Sequence, residues 1–399
     1  MTRRRRSWIL ALSITTLACG PGSASEGESG ETGETGETEG GETEGSIAPE
    51  DCTWTGDFTI NSQIELSSMD EVCAVEGELH LREINDLEPL AQLLRVGGML
   101  RLNDTFVSTL EPLAALRQVD GSLVITGNGF APSLAGLDSL ERVGGLHLNG
   151  RDSIAGLPEV LQLDASHDEH ERAGLSVISV PSFSTLEQLP QLEFVGFGEG
   201  EDTLSVALAD TELASLAGLE SWPLEGGELQ LVHLPLSSLE GFAATELEYV
   251  EFLSLHGLVD LQGMASLERT TNLVVKDNEQ LESFEGLGSL EAIGALVVGG
   301  CYYHQSLFEG TPANPSLTSF AGLEGVTSVE HLLVRGQPAL SSMAGLDSVE
   351  SVERAEIMDN PALPAEEAAA WLEARGLPSD FDPERFCGNL GQEPCTPCP

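Results

Sequence analysis

Few residues in this 399-residue chain are spaced for chemistry. His167-Asp-Glu-His170-Glu sets two imidazoles three positions apart, a spacing that serves a metal on a helix face or a fixed loop. Gly174 and the polar residues before it predict an irregular loop instead, so no metal ligands are assigned there. Cys395-Thr-Pro-Cys398 has the spacing of a redox or zinc pair, but it stands in a Pro-rich tail with neither a second pair nor a thioredoxin-like pattern. The chain contains no Gly-x-Ser-x-Gly, no His-Glu-x-x-His, no phosphate loop and no Asp-x-Asp-x-Asp-Gly calcium loop. Among 66 Asp and Glu, no catalytic pair stands out from solvated surface. We therefore expect no catalytic residues, no metal and no cofactor.

The cations are more informative. Only 17 Lys and Arg oppose those acids, the formal net charge is −49, and Lys276 is the sole lysine. Such a surface repels nucleic acid, which needs basic footprints. Where the few cations stand depends on the elements that carry them.

Those elements are repeats. Leu273-Val-Val-Lys-Asp-Asn-Glu-Gln-Leu-Glu-Ser-Phe-Glu-Gly-Leu-Gly-Ser-Leu-Glu-Ala-Ile-Gly is rewritten along the chain. Its first apolar residue recurs at Leu79, Leu100, Leu123, Leu146, Leu175, Leu204, Leu229, Leu253, Leu273, Leu296, Leu332 and Ala355. A period in the twenties with this leucine pattern predicts a solenoid: one short strand per rung, stacked about 4.8 Å apart into a parallel sheet. Asp164 to Gly174, Gly196 to Asp202 and Gly299 to Ser316 depart from the period and read as insertions along one edge. The last carries Tyr302 and Tyr303, aromatic loop residues suited to contact.

Alternation along a strand turns its intervening residues outward. With the strands begun as above, the outward positions include His80, Arg82, Arg101, His147, His256, Lys276 and Arg335, against one acid, Glu356. A structural cause is that stacked carboxylates repel and are driven to the returns. A functional cause is a ligand bearing negative charge or hydroxyls, such as an acidic polysaccharide or a partner's acidic patch.

The ends are of different composition. Residues 1–18, with Arg3 to Arg6 before an apolar run from Trp8 to Ala18, read as a signal peptide too short to span a bilayer. Leu17-Ala18-Cys19-Gly20 resembles a bacterial lipobox, which implies lipidation of Cys19, and Gly20 after it implies the outer membrane. Residues 19–51 hold nine Glu after Cys19 and no Lys or Arg, and predict an extended, disordered acidic tether. Residues 52–76 should cap the first rung, with a short helix from Glu65 to Val72 and a disulfide between Cys52 and Cys73. Pro364, Glu366, Glu367, Arg375 and Gly376 describe a capping helix over 364–376, followed by a Cys-bearing tail, 377–399. In that tail Cys387 is expected to pair with Cys395; Cys301 and Cys398 are left open.

Over residues 52–376 the chain resembles the receptor L domain class of leucine-rich solenoid, as in the outer portions of insulin and epidermal growth factor receptors. The likeness rests on the Cys52…Cys73 cap, strands such as Gly98-Met-Leu-Arg-Leu and Gly121-Ser-Leu-Val-Ile, and returns such as Leu137-Asp-Ser-Leu-Glu-Arg-Val-Gly. It implies a right-handed coil with one parallel sheet of about 12 rungs, little helix and a C-terminal capping helix. It also implies that the sheet face contacts ligand, and it carries no catalytic residues over. A partial asparagine ladder, Asn128, Asn278 and Asn360 with Gln337 in its place once, departs from the family's regularity. The expectation is a lipid-anchored surface protein of the bacterial outer membrane, binding a protein or polysaccharide in recognition or adhesion. A structural envelope spacer is the alternative and a polysaccharide hydrolase the third.

Overall fold

The computed structural model describes residues 52–69, 72–127, 133–150, 152–167, 174–197, 202–300, 313–377 and 386–392. Cys19, the signal and tether segments, Asn128, His170, Cys301, Tyr302, Tyr303, Cys395 and Cys398 lie outside them.

Each rung contributes one strand in which a leucine or valine faces inward and its neighbour outward. Leu79, Leu100, Leu123, Leu146, Leu175, Val206, Leu229, Val250, Leu273, Leu296, Leu332 and Ala355 follow one another in parallel register. All are buried in a single apolar core. The chain is thus a β-solenoid of about twelve turns, with a first short strand, Phe58–Ile60, paired to Leu79–Arg82. At ~1.5–3 kcal/mol per fully buried leucine, this column contributes substantially to stability.

Two anchors differ from the sequence pattern. Val206, not Leu204, stands between Leu175 and Leu229, and Val250, not Leu253, between Leu229 and Leu273. Both segments offer two apolar-x-apolar runs, and packing selects the one that keeps every rung in register.

The sheet has a second, shorter parallel ladder one bend upstream. Arg95, Gln118, Arg142, Gln162 and Glu193 follow in register, and Glu246, Arg269, Ala292 and Ser328 resume it later. Glycines make the bend between ladders: a Cβ on Gly144 would come within 2.6 Å of the Asp120 carbonyl oxygen in the rung before. Beside the bend, Arg142 bridges the buried carboxylates of Asp120 (3.3 Å) and Asp164 (3.2 Å), and Arg95 also pairs with Asp120. The long ladder runs unbroken through the middle of the chain. The short one stops after Gln191–Val195, where Trp222-Pro223 occupies the next rung and Pro223 has no N–H to donate. Phe194 meets Phe197 and Trp222 there, with ring centroids 5.7 and 5.8 Å apart.

Each strand of the long ladder ends in a corner. The residue that follows is left-handed in rung after rung, as at Asp104, Asp210, His233, Asp277 and Asp359. Past the corner in the C-terminal rungs runs a buried amide spine. Asn278, Asn314, Gln337, Asn360 and Asn389 each have a backbone N–H that donates to the next side-chain oxygen; the four asparagine side chains donate to a carbonyl of an earlier strand, and that of Gln337 donates to the Arg335 carbonyl of its own. The sequence pattern missed Asn314 and Asn389, because the first lies within the stretch Gly299 to Ser316 that departs from the period and the second lies past the capping helix.

The first rung is closed by the Cys52–Cys73 disulfide. The helix beside it spans Gln63–Leu66 and continues as a 3-10 turn over Ser67–Met69, earlier than expected. Ser62 sets this start: its hydroxyl accepts the Glu65 N–H, and the Glu65 carboxylate accepts the Asn61 N–H. At the far end the helix Ala365–Glu373 has Pro364 as its N-cap rather than its first turn. Trp371 is buried and donates to the Leu346 carbonyl (3.2 Å), and the Arg375 guanidinium lies 3.9 Å from the Trp371 ring centroid. Cys387 is disulfide-bonded.

Candidate functional site

The side of the long ladder that faces away from the core is where most of the selected cations stand. His80 and Arg101 are adjacent in register, and Arg82 is exposed one step along the first of those strands. His147 is also on this face. Lys276 and Arg335 close the strands Arg269–Lys276 and Ser328–Arg335 and point the same way. His256 does not belong with them. With Val250 as the anchor, the outward residues of that rung are Glu251 and Leu253, and His256 is exposed in the turn beyond. The same shift puts a second acid on the face, so the expected depletion of carboxylates holds less well than the sequence suggested.

Partners surround these cations. His80 Nε2 is 3.1 Å from Glu78 Oε2. The Arg335 guanidinium donates to Asp359 Oδ2 at 2.9 Å. His147 Nδ1 lies 2.9 Å from Ser176 Oγ, and its ring reaches back over Gly145 and Gly174, where a Cβ would come within 3.1 and 3.5 Å of it. Burial first, then the positive charge of Arg101, holds this imidazole down at about 4, so it is neutral near pH 7. Lys276 sits one rung from Glu251. Burial lowers the Lys276 pKa and raises that of Glu251, while the opposite charge of each works against the shift of the other. Burial also raises the Tyr249 hydroxyl, whose hydrogen bond to Glu251 helps keep that carboxylate charged.

Between the paired charges the face is apolar. Val232 stands beside Leu253, and Val297 beside Leu333, all four half-buried, with Val274 between the two pairs. The N-terminal rungs are polar instead: Asn103, Thr126 and Asn149 share one column, with the Thr126 hydroxyl 2.7 Å from Asn103 Oδ1. The sequence reading overlooked Tyr249, Glu251 and the apolar pairs because it sought charge and began one strand three residues late. The left-handed corner would have located them, since Ser254 after Leu253 fills the position that Asp277 fills after Lys276.

Among the described residues no group of three His, Cys, Asp or Glu side chains is arranged to hold a metal ion. No protein-family model and no curated protein matches this sequence.

Proposed function

We propose that the protein is a non-enzymatic recognition or adhesion protein that binds a macromolecular partner, protein or polysaccharide, through the outward face of its long ladder. Within this reading the solenoid is of the leucine-rich, receptor L domain type. It is exported, lipidated at Cys19 and held at the outer surface of a bacterial cell, so that the membrane contact is the lipid's.

One observation carries the reading. Val232, Leu253, Val297 and Leu333 stand half-exposed on a sheet whose inward residues are all buried, so apolar area is left on a rigid, continuous platform. Half-exposed apolar side chains between paired charges are the composition of a contact surface. Stacked strands fix their spacing without loops that must first be ordered, which lowers the entropic cost of binding.

The test is binding of the full-length protein to arrayed envelope proteins and surface glycans, with Leu253→Glu/Val297→Glu as the variant and circular dichroism to confirm its fold. A partner retained by the native protein and lost by the variant is the expected result. Partners bound equally by both would place contact elsewhere, and no partner at all would favour the envelope spacer.

A further inference from the structure

Resting on that reading, we infer that the partner segment seated on the C-terminal half of this face is a cationic amphipathic polypeptide, with apolar side chains on one edge and Lys or Arg along it. The selected cations first suggested the opposite, an anionic ligand. Their surroundings argue against it. Arg335 is bound by Asp359 at 2.9 Å and Lys276 faces Glu251, so these two charges are already opposed from within the fold. Arg354 is likewise paired with Glu356.

Carboxylates outlast this pairing. Asp277, which accepts from Ser254 at 2.7 Å, flanks the face and is not neutralised by that contact. Glu330, in the first part of the strand Ser328–Arg335, and Glu353, just before the strand Arg354–Met358, are exposed. A carboxylate has about four acceptor positions, so each keeps room for an incoming ammonium or guanidinium. At physiological salt, charge acts over only about 8 Å, so these rim acids set the local sign, and the chain total of −49 agrees with it. A polyanion would meet repulsion from both. The path between the acids includes Val232, Leu253, Val297 and Leu333, whose side chains offer a sugar no hydrogen-bond partner but give a leucine or valine side chain something to cover.

The probes are a 12-residue peptide of alternating Leu and Lys, its Ser–Lys counterpart of equal charge, and heparin, each titrated into the full-length protein at two salt concentrations. We expect the Leu–Lys peptide to bind at least about tenfold tighter than the Ser–Lys peptide. Val297→Ser/Leu333→Ser should abolish that margin while leaving the Ser–Lys affinity unchanged, and hydrogen exchange should slow in the strands Glu228–Val232, Glu246–Leu253, Ala292–Gly299 and Ser328–Arg335. Equal affinities for the two peptides would overturn the inference, reducing it to attraction by net charge. Heparin protecting these same strands would overturn the cationic partner and keep the face. Peptide protection confined to another surface would overturn both the inference and the recognition reading.

Discussion

His147 carries its ring in a recess that Gly145 and Gly174 leave open, and the consequence is electrostatic. A histidine in an unfolded chain titrates near ~6.5, whereas this one titrates at about 4 when folded. Between those values the unfolded chain holds a proton that the folded chain refuses. The stability linked to this group is therefore complete above pH ~6.5 and is lost as pH falls toward 4, by no more than about 3 kcal/mol. In urea titrations the native protein should lose that much of its advantage over His147→Gln between those two pH values. A pH-independent difference would mean that the ring is solvated. Comparison with the variant matters because protonation of surface carboxylates relieves repulsion over the same range. The position of His147 on the outward face was legible from strand alternation. Its burial was not, since the recess is made by glycines in two different rungs, which only the register brings together.

Strands and returns are held by backbone fit, which makes some glycines indispensable and others free. Gly286 has φ +111° and a Cβ there would lie 2.1 Å from the Leu261 carbonyl oxygen, while Gly288, two residues on, has nothing within 4 Å. Gly286→Ala should cost more than about 2 kcal/mol, from left-handed strain plus a clash with the previous rung's backbone. Gly288→Ala should change stability by no more than about 0.5 kcal/mol. Chemical denaturation of the pair measures both, and similar losses would refute the stacking argument. Asn314→Ala removes the acceptor of the Asn278 N–H and the donor to the Val275 carbonyl, both in the buried spine. With about 1–3 kcal/mol for each orphaned group, a loss of roughly 3 kcal/mol or more is expected in the same assay. The Phe-x-Gly-Leu repeat around Gly286 was visible in the sequence because it recurs at fixed spacing. Asn314 was not, because an insertion separates it from its rung's strand and hides the period.

At the scale of the whole molecule, stacking must overcome self-repulsion. A net charge of −49 over one elongated body means that salt should stabilise the fold, as the screening length falls from about 30 Å at 0.01 M to about 8 Å at 0.15 M. The melting temperature should rise by a few degrees across that range. A flat response would show that local pairing, such as Arg142 with Asp120 and Asp164, already offsets the excess. The solenoid architecture and its near-twelvefold repetition were legible at once, since every rung restates the pattern. The break in the short ladder was not foreseen. It falls where Trp222-Pro223 occupies the place that neighbouring rungs give to a hydrogen-bonded strand.

That break has a mechanical side. A stacked coil in which each turn touches only its neighbours behaves as a chain of links in series, and tension is limited by the weakest link. Between Gln191–Val195 and Glu246–Leu253 the turns are joined by the long ladder but not the short one, so this joint lacks the second row of strand pairing that its neighbours have. Its flanks are reinforced, by a disulfide and buried ion pairs on one side and by the amide spine on the other. Pulled from its ends, the molecule should part first in the middle and yield in two stages, acting as a fuse that absorbs a jolt without losing both halves at once.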